Sequence, residues 1–201
     1  MSYLNIIEWE IIPDTTPVVK RNCPKCGEKK HYVNSEKFRV NANGSLIDIW
    51  LIYQCEKCSS TWNMTIHERI HPNTISKTQY EKFQANDKEL AIQYGLDSNI
   101  HKKNKIEAVW ESVRYSIISK ELSQTGEREF EQQYIIKFKY PLQIRADKLL
   151  SDKLQISRSK IKNLCENGAI YTQDCRNVLK MKAYDGMQIY INNKNIVLNN
   201  E

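Results

Sequence analysis

The stretches Cys23-Pro24-Lys25-Cys26-Gly27 and Cys55-Glu56-Lys57-Cys58 decide the fold of the N-terminal part of this chain. In each stretch two residues separate two cysteines, so that one turn of backbone directs both sulfur atoms at the same metal ion. Four thiolates brought together in this way form a tetrahedral site, which suits Zn²⁺ far better than cations that prefer oxygen. Such a site is closed and leaves no position for a substrate. The sequence therefore predicts a structural zinc ion held by Cys23, Cys26, Cys55 and Cys58.

Other interpretations of the cysteines fit the sequence less well. A redox pair is typical of a single C-x-x-C motif within a βαβ pattern, and disulfide bonds are typical of secreted proteins. The chain opens Met1-Ser2-Tyr3-Leu4-Asn5, which is not a signal-peptide pattern, so we expect a cytoplasmic protein. The remaining Cys165 and Cys175 fit no metal-binding pattern and are expected to be inert, partly buried thiols.

Positive charge is concentrated in one segment of the chain. The 201 residues carry a formal net charge of +6, and 40% of them are hydrophobic, which is enough for packed cores. No apolar run approaches the ~18 residues that a membrane span requires. Residues 137–162 contain two acidic residues, Asp147 and Asp152, and eight basic residues, which together account for the whole excess charge. The basic residues are Lys137, Lys139, Arg145, Lys148, Lys153, Arg158, Lys160 and Lys162.

The residues around the two cysteine pairs predict a zinc ribbon. A first strand is predicted for residues 6–12. Asn43-Gly44 separates two runs rich in strand formers, residues 38–42 and 45–53, and this arrangement is the strongest local indication of a β-hairpin. Residues 61–66 are predicted to add a third strand. We expect residues 1–71 to form this first domain.

Residues 72–135 are predicted to form a connecting region of helices and strands. Ser76 is a candidate N-cap with Gln79 at the capping-box position, and a second helix is expected after Asp87. The pattern in residues 106–119 fits either a helix or a strand. We favour a strand for residues 112–119, because residues 134–139 look like its hairpin partner.

The C-terminal third alternates helical and strand patterns. A helix is predicted for residues 145–154, and Ser157 is expected to cap a second helix that ends before Gly168. Short strands are predicted at residues 169–171, 178–179 and 188–191.

These C-terminal residues resemble the S4-type RNA-binding domain, a small α-L motif of two helices followed by a short sheet. The resemblance implies an S4-like, RNA-binding domain over residues 136–201, with Arg145, Arg158, Lys160 and Lys162 contacting the RNA backbone. The predicted fold class is therefore α+β, with an N-terminal four-cysteine zinc ribbon, a connecting region and a C-terminal S4-like domain. The stretches that match are Arg145-Ala146-Asp147-Lys148-Leu149-Leu150, Ile156-Ser157-Arg158-Ser159-Lys160-Ile161-Lys162 and Glu166-Asn167-Gly168-Ala169-Ile170.

The spacing of the basic residues also suits phosphate binding without any resemblance. Arg158 and Lys162 are four residues apart on one helix face, and Arg145 and Lys148 are three apart on the preceding helix. Ser157, near a helix N-terminus, would add a hydroxyl. The alternative is a solvated basic face that binds nothing. The candidate RNA-binding residues are Arg145, Lys148, Ser157, Arg158, Lys160 and Lys162.

A second resemblance covers most of the chain. The two cysteine stretches, together with Trp50-Leu51-Ile52-Tyr53-Gln54-Cys55 and Thr61-Trp62-Asn63, are similar to those of an uncharacterised family of bacterial zinc-ribbon proteins, a domain of unknown function. The resemblance implies zinc but no activity.

The zinc ribbon has two candidate roles of its own. It could dock a protein partner, or grip nucleic acid through basic residues and two aromatic ones. The nearby acidic residues Glu28, Glu36 and Glu56 argue against a strong phosphate site and favour a protein-facing or purely structural role. The basic and aromatic candidates are Lys25, Lys29, Lys30, Lys57, Tyr32 and Trp62.

No catalytic constellation is recognisable. His67 and His71 are four apart, but Pro72 and the preceding strand pattern spoil helical spacing, so solvated or capped histidines are expected. A phosphate-cradling glycine loop and a nucleophile set are both missing from the sequence. The sequence thus predicts a non-enzymatic zinc protein that binds structured RNA, with no membrane partner. The alternative is a protein-interaction adaptor or transcription-associated factor without RNA affinity.

Overall fold

A computed structural model describes residues 3–123, 127–172 and 178–192 of the chain. Within these residues the protein has two five-stranded β-sheets and five α-helices, which confirms a mixed sheet and helix architecture. The chain divides into two compact units. One consists of residues 14–114, and the other of residues 1–13 together with 115–201.

The unit of residues 14–114 is built on five strands: β2 (Val18–Cys23), β3 (Glu28–Asn43), β4 (Leu46–Cys55), β5 (Thr61–Ile70) and β6 (Glu107–Val109). They form an antiparallel sheet with the strand order β5-β4-β3-β2-β6. The turn between β3 and β4 consists of Gly44 and Ser45, one residue later than predicted, since Asn43 pairs with Leu46. Gly44 has φ +62°, a conformation that glycine adopts without steric cost.

Three helices pack against this sheet: α1 (Lys77–Gln84), α2 (Lys88–Leu96) and α3 (Ser98–Lys103). Two of the predicted helix starts are confirmed, because the Ser76 hydroxyl accepts from the Gln79 N–H at 3.1 Å and the Asp87 carboxylate accepts from the Leu90 N–H at 2.8 Å. Phe83 is fully buried, and its ring meets that of Phe38 edge to face at 4.9 Å. Together with the alternate residues of β4, these rings form the core: Ile47, Ile49, Leu51 and Tyr53.

Gly95 is the penultimate residue of α2 and is buried. A Cβ atom at this position would lie 2.5 Å from Thr16 Cγ2 and 2.8 Å from Asn34 Nδ2. The Asn34 amide in turn donates to the Ala91 carbonyl oxygen at 3.1 Å. Gly95 therefore allows α2 to approach the first residues of this unit closely.

The second unit is built on five strands: β1 (Tyr3–Pro13), β7 (Tyr115–Ser123), β8 (Glu127–Phe138), β9 (Ile170–Thr172) and β10 (Gln188–Asn192). Their order in the sheet is β7-β1-β8-β10-β9. Strand β1 lies parallel to β8, whereas the other neighbouring strands are antiparallel. The predicted hairpin between residues 112–119 and 134–139 is therefore wrong, because β1 separates β7 from β8.

Two helices complete this unit, α4 (Ala146–Leu154) and α5 (Arg158–Glu166), and both match the prediction. The Ser157 hydroxyl caps α5 by accepting from the Lys160 N–H at 3.2 Å. The strand predicted at residues 178–179 is instead a 3₁₀ turn, Val178–Lys180. The helices contribute the buried side chains of Leu149, Leu150, Ile161 and Leu164.

The two units do not coincide with the predicted domain boundaries at residues 71 and 135. Strand β1 belongs with β7 and β8, because it pairs with both. Helices α1–α3 pack on the sheet that carries the cysteines, and β6 pairs with β2 of that sheet. Residues 72–114 therefore extend the cysteine-bearing unit. None of the helices in the described residues is long and apolar enough to cross a membrane.

Candidate metal centre and nucleic-acid interface

The four predicted ligand cysteines lie together at one end of the sheet in residues 14–114. Cys23 ends β2 and Cys55 ends β4, while Cys26 and Cys58 lie in the turns that follow. The four sulfur atoms all lie within 4.8 Å of one another, and those of Cys23 and Cys58 are 3.5 Å apart. Sulfur atoms around one zinc ion, each about 2.3 Å from it, lie about 3.8 Å apart. The cluster is therefore able to hold a tetrahedrally coordinated metal ion.

The two cysteine turns have the same backbone geometry. The Gly27 N–H donates to the Cys23 carbonyl oxygen at 2.9 Å, and the Ser59 N–H donates to the Cys55 carbonyl oxygen at 2.9 Å. Both donors have positive φ, +72° for Gly27 and +58° for Ser59. Each turn thus brings its two sulfur atoms to the same side, and the sheet brings the two turns together.

The residues around the sulfur atoms lower the pKa of some of these thiols and raise the pKa of another, which favours ionisation of only part of the cluster. A hydrogen bond from the Tyr32 hydroxyl lowers the pKa of the Cys23 thiol to about 6. Burial, followed by the nearby sulfur atoms of Cys58 and Cys23, raises the pKa of Cys26 to about 12. A hydrogen bond with Ser60, 3.1 Å away, lowers the pKa of Cys58. Collecting four thiolates in this space thus needs a cation to balance them.

Most of the other candidate residues of this unit contact neighbouring side chains. Tyr32 is buried, and the Arg21 guanidinium covers one face of the Trp62 ring at 4.1 Å. Lys30 and Lys57 both face Glu28, at 2.7 and 3.8 Å, and Lys29 pairs with Glu107 at 2.7 Å. Lys25 is exposed. These ion pairs weaken the case for phosphate binding on this unit.

The basic helices of the other unit form a different kind of cluster, centred on Asp147. Arg145 donates to this carboxylate through Nε at 2.9 Å and Nη2 at 3.0 Å. Arg158, from the next helix, donates to it through Nε at 3.1 Å and Nη2 at 2.6 Å. The Arg145 and Arg158 side chains remain 55% and 52% exposed, whereas that of Asp147 is only 6% exposed. Two cations therefore share one buried anion, which leaves a net positive charge at the surface.

The remaining candidates lie around this cluster on the same two helices. Lys148 lies over the Tyr115 ring at 5.8 Å, and Lys162 is 3.7 Å from Glu166. Ser157 is exposed, with its hydroxyl oxygen accepting the α5 cap bond, and Lys160 donates that bond through its backbone. The packing of α4 against α5 therefore gathers the predicted RNA-binding residues on one pair of helices.

Asp147 is the member of this cluster that the sequence reasoning missed. The sequence indicated only that Asp147 is one of two acidic residues that offset part of the positive charge of residues 137–162. A usable signal was present, because Asp147 follows Arg145 by two residues in the first turn of α4, where a carboxylate interacts favourably with the helix dipole. Burial alone would raise the pKa of Asp147, but the hydrogen bonds from Arg145 and Arg158 outweigh it and hold the pKa below its ordinary value.

The remaining histidine and cysteine candidates form no second metal site in the described part of the chain. The His67 ring packs against Phe83 and Tyr94. In the described residues, the one group of three or more cysteine, histidine or acidic side chains close enough to hold a metal ion is the cysteine quartet. Cys165 is half-buried, and this burial raises the pKa of its thiol to about 11. Cys175 lies outside the described residues.

These features define an α+β protein with a cysteine cluster suited to a metal ion in one unit and a basic helix pair in the other. A family model described as "Protein of unknown function (DUF1062)" matches residues 40–176, more than half of the chain, and the chain belongs to this family. The match includes Cys55, Cys58 and both basic helices, and begins after Cys23 and Cys26. No curated protein and no solved structure matches the chain. Family membership supplies no activity, so a function has to be argued from the geometry.

Proposed function

We propose that this protein holds one structural zinc ion in a zinc ribbon and binds structured RNA through an S4-like helix pair, without catalysing a reaction. The zinc assignment is supported by the four clustered sulfur atoms, which offer the soft, tetrahedral ligand set that zinc prefers. The 3.5 Å between Cys23 and Cys58 is far longer than a disulfide bond of about 2.05 Å. Thiols kept in this reduced form suit the cytoplasm.

The observation that carries the RNA proposal is the convergence of Arg145 and Arg158. Arg145 is the N-cap residue of α4 and Arg158 is the first residue of α5. Their side chains are half exposed, and they share one carboxylate. Phosphate groups bind where cations converge on one surface, and the release of counterions makes such binding depend on salt. Lys148, Lys160 and Lys162 extend the positive surface along α4 and α5. The sequence resemblance to the S4-type domain favours RNA over DNA.

The experiment is a fluorescence anisotropy titration of full-length, zinc-loaded protein with labelled bulk tRNA and ribosomal RNA fragments at several salt concentrations. We expect micromolar or tighter binding, with a log–log salt slope of about −3 to −5 for four to six phosphate contacts. Replacing Arg158, Lys160 and Lys162 by Glu should abolish it. The control replaces Lys77, Lys82 and Lys88, exposed residues of α1 and α2, by Glu; it makes the same charge change on the other unit and should retain most of the binding. Absent or salt-insensitive binding would overturn the RNA proposal.

A second candidate function, a protein-interaction adaptor, is favoured by a separate observation. Ile118 and Leu122 of β7 are 52% and 45% exposed, and β7 is an edge strand of its sheet in the described residues. Exposed apolar side chains on an edge strand are typical of surfaces that pair with another chain. Adaptor function predicts no RNA binding and loss of a protein partner when Ile118 and Leu122 are replaced by Lys.

A further inference from the structure

We propose that Asp147 is a positioning residue that holds the guanidinium groups of Arg145 and Arg158 side by side to receive one phosphodiester group. This inference rests on the proposed RNA function and adds to it the chemical class of ligand at a defined site. It also changes the expected role of an acidic residue, from weakening the positive surface to organising it.

The contacts fix the two guanidiniums against one oxygen atom. Nη2 of Arg145 and Nη2 of Arg158 both donate to Oδ2 of Asp147, at 3.0 and 2.6 Å. The Nε atoms donate to the same carboxylate at 2.9 and 3.1 Å. Both arginines therefore turn the Nε–Nη2 edge towards Asp147, which leaves the Nη1 amino group of each outside these bonds. Two like charges stay adjacent because the shared anion offsets their repulsion.

Further contacts hold each member of this cluster in place. Asp147 also accepts the Lys148 N–H at 2.9 Å, so its carboxylate is held by its own helix. Arg145 Nη2 donates to the Leu179 carbonyl oxygen at 2.7 Å. Arg158 begins α5, immediately after the Ser157 cap. A site held on two helices in this way loses less conformational freedom on binding than two unrestrained side chains would lose.

The arrangement suits a phosphodiester because of its charge and its donors. The buried carboxylate neutralises one of the two cations, and the exposed guanidiniums retain one net positive charge. Each guanidinium presents planar N–H donors, and a phosphodiester has two charged oxygen atoms that accept such bonds. A clamp that served only to join α4 and α5 would make no use of the half-exposed cations.

The test compares Asp147→Asn with Asp152→Asn in the full-length, zinc-loaded protein, with labelled bulk tRNA as the ligand. Both variants remove one negative charge from α4, but Asp152 accepts from the Tyr115 hydroxyl and contacts neither arginine in the structure. If only net charge matters, both variants should bind equally or more tightly. If Asp147 positions the arginines, Asp147→Asn should bind about tenfold more weakly despite its extra positive charge. Asp152→Asn should bind at least as tightly as the unchanged protein.

Two further measurements keep the outcome clear. Thermal unfolding and circular dichroism show whether Asp147→Asn still folds. If it does not, Arg158→Lys against Arg39→Lys decides, because both make the same charge-conserving change and Arg39 is an exposed residue of the other unit. The first should bind several-fold more weakly and the second within about twofold. Equal tRNA affinities for Asp147→Asn and Asp152→Asn, or for Arg158→Lys and Arg39→Lys, would overturn the positioning role while leaving RNA binding intact. Failure of the unchanged protein to bind tRNA would instead overturn the proposed function, and this inference with it.

Discussion

Ser59 occupies in the second cysteine turn the position that Gly27 occupies in the first, and both residues have positive φ. A side chain in the left-handed region costs about 1–2 kcal/mol, a cost that Gly27 avoids and Ser59 carries. No atom outside the two adjacent residues lies within 4 Å of a Cβ placed at Gly27, so packing does not add to this cost.

Gly27→Ala should therefore lower the free energy of unfolding of residues 14–114 by about 1 kcal/mol. Ser59→Gly should leave it unchanged or raise it by up to about 0.5 kcal/mol, because relief of strain is partly offset by a more flexible unfolded chain. Gly27→Asn should cost less than Gly27→Ala, since Asn tolerates this conformation. Urea unfolding followed by Trp fluorescence measures all three. Equal costs for Ala and Asn would contradict the backbone explanation.

Removal of the metal should unfold the cysteine-bearing unit. Without a cation, the four thiols cannot all ionise, and no metal–sulfur bonds join the ends of β2 and β4. Elemental analysis should find about one zinc per chain, as one tetrahedral site requires. Cys26→Ser should lose the zinc, whereas Cys165→Ser should retain it. A full complement of zinc in Cys26→Ser, or iron in place of zinc, would contradict the assignment.

Gly95→Ala should destabilise the protein although Ala is the better helix former. In an open helix this change stabilises by about 1 kcal/mol. Here the new Cβ would lie 2.5 Å from Thr16 Cγ2, and overpacking of this kind costs about 1–3 kcal/mol. Thermal unfolding should show a lower Tm for Gly95→Ala and little change for Gln93→Ala, an exposed position on the same helix. Thr16→Ser should restore part of the loss, because it removes the clashing methyl group.

His101 should make folding stability depend on pH. The side chain is 5% exposed, and its Nε2 lies 2.9 Å from the Gly95 carbonyl oxygen. Burial lowers its pKa below 6.5, although the Gly95 carbonyl and Asp97 oppose the shift. The unfolded chain therefore takes up the proton at a higher pH than the folded protein does. The stability contribution is complete above pH 6.5 and falls as the pH drops towards the lower folded-state pKa.

Denaturant unfolding at a series of pH values between 7.5 and 5 tests this prediction. His101→Gln should be less stable at pH 7.5 and should lose part of the pH dependence. His71→Gln is the matched control, because His71 is exposed and should leave the dependence unchanged. A steeper pH dependence in His101→Gln would contradict the sign derived from burial.

Local features of the fold were predictable from the sequence, and distant pairings were not. Some features depend on residues only a few positions apart, and these local patterns were sufficient to predict them. They are the two cysteine turns, the Ser76 and Ser157 caps and helices α4 and α5. The parallel pairing of β1 with β8 joins Ile11 to Phe138, and no local pattern specifies a partner so far along the chain. The predicted β7–β8 hairpin failed for this reason.

The candidate sites divide in the same way. Cysteine spacing identified all four sulfur atoms of the cluster, since the turn that presents each pair is local. The convergence of Arg145 and Arg158 could be expected from two adjacent helices. The buried carboxylate between them could not, because the depth of Asp147 depends on how α4 packs against α5 and the Val178–Lys180 turn.

The pairing of Pro13 with Tyr115 has a consequence for the order in which the chain folds during synthesis. Strand β1 leaves the ribosome before its partners β7 and β8, which follow only after residues 14–114 have been made. An unstructured segment of that length would make closure entropically unfavourable. Once residues 14–114 have folded, the backbone bond from the Asp14 N–H to the Arg114 carbonyl oxygen at 2.8 Å holds their ends together. Because the two ends of the folded unit are adjacent, β1 and β7 are brought together at Pro13 and Tyr115. The two strands can then pair almost as the strands of a hairpin do across a tight turn.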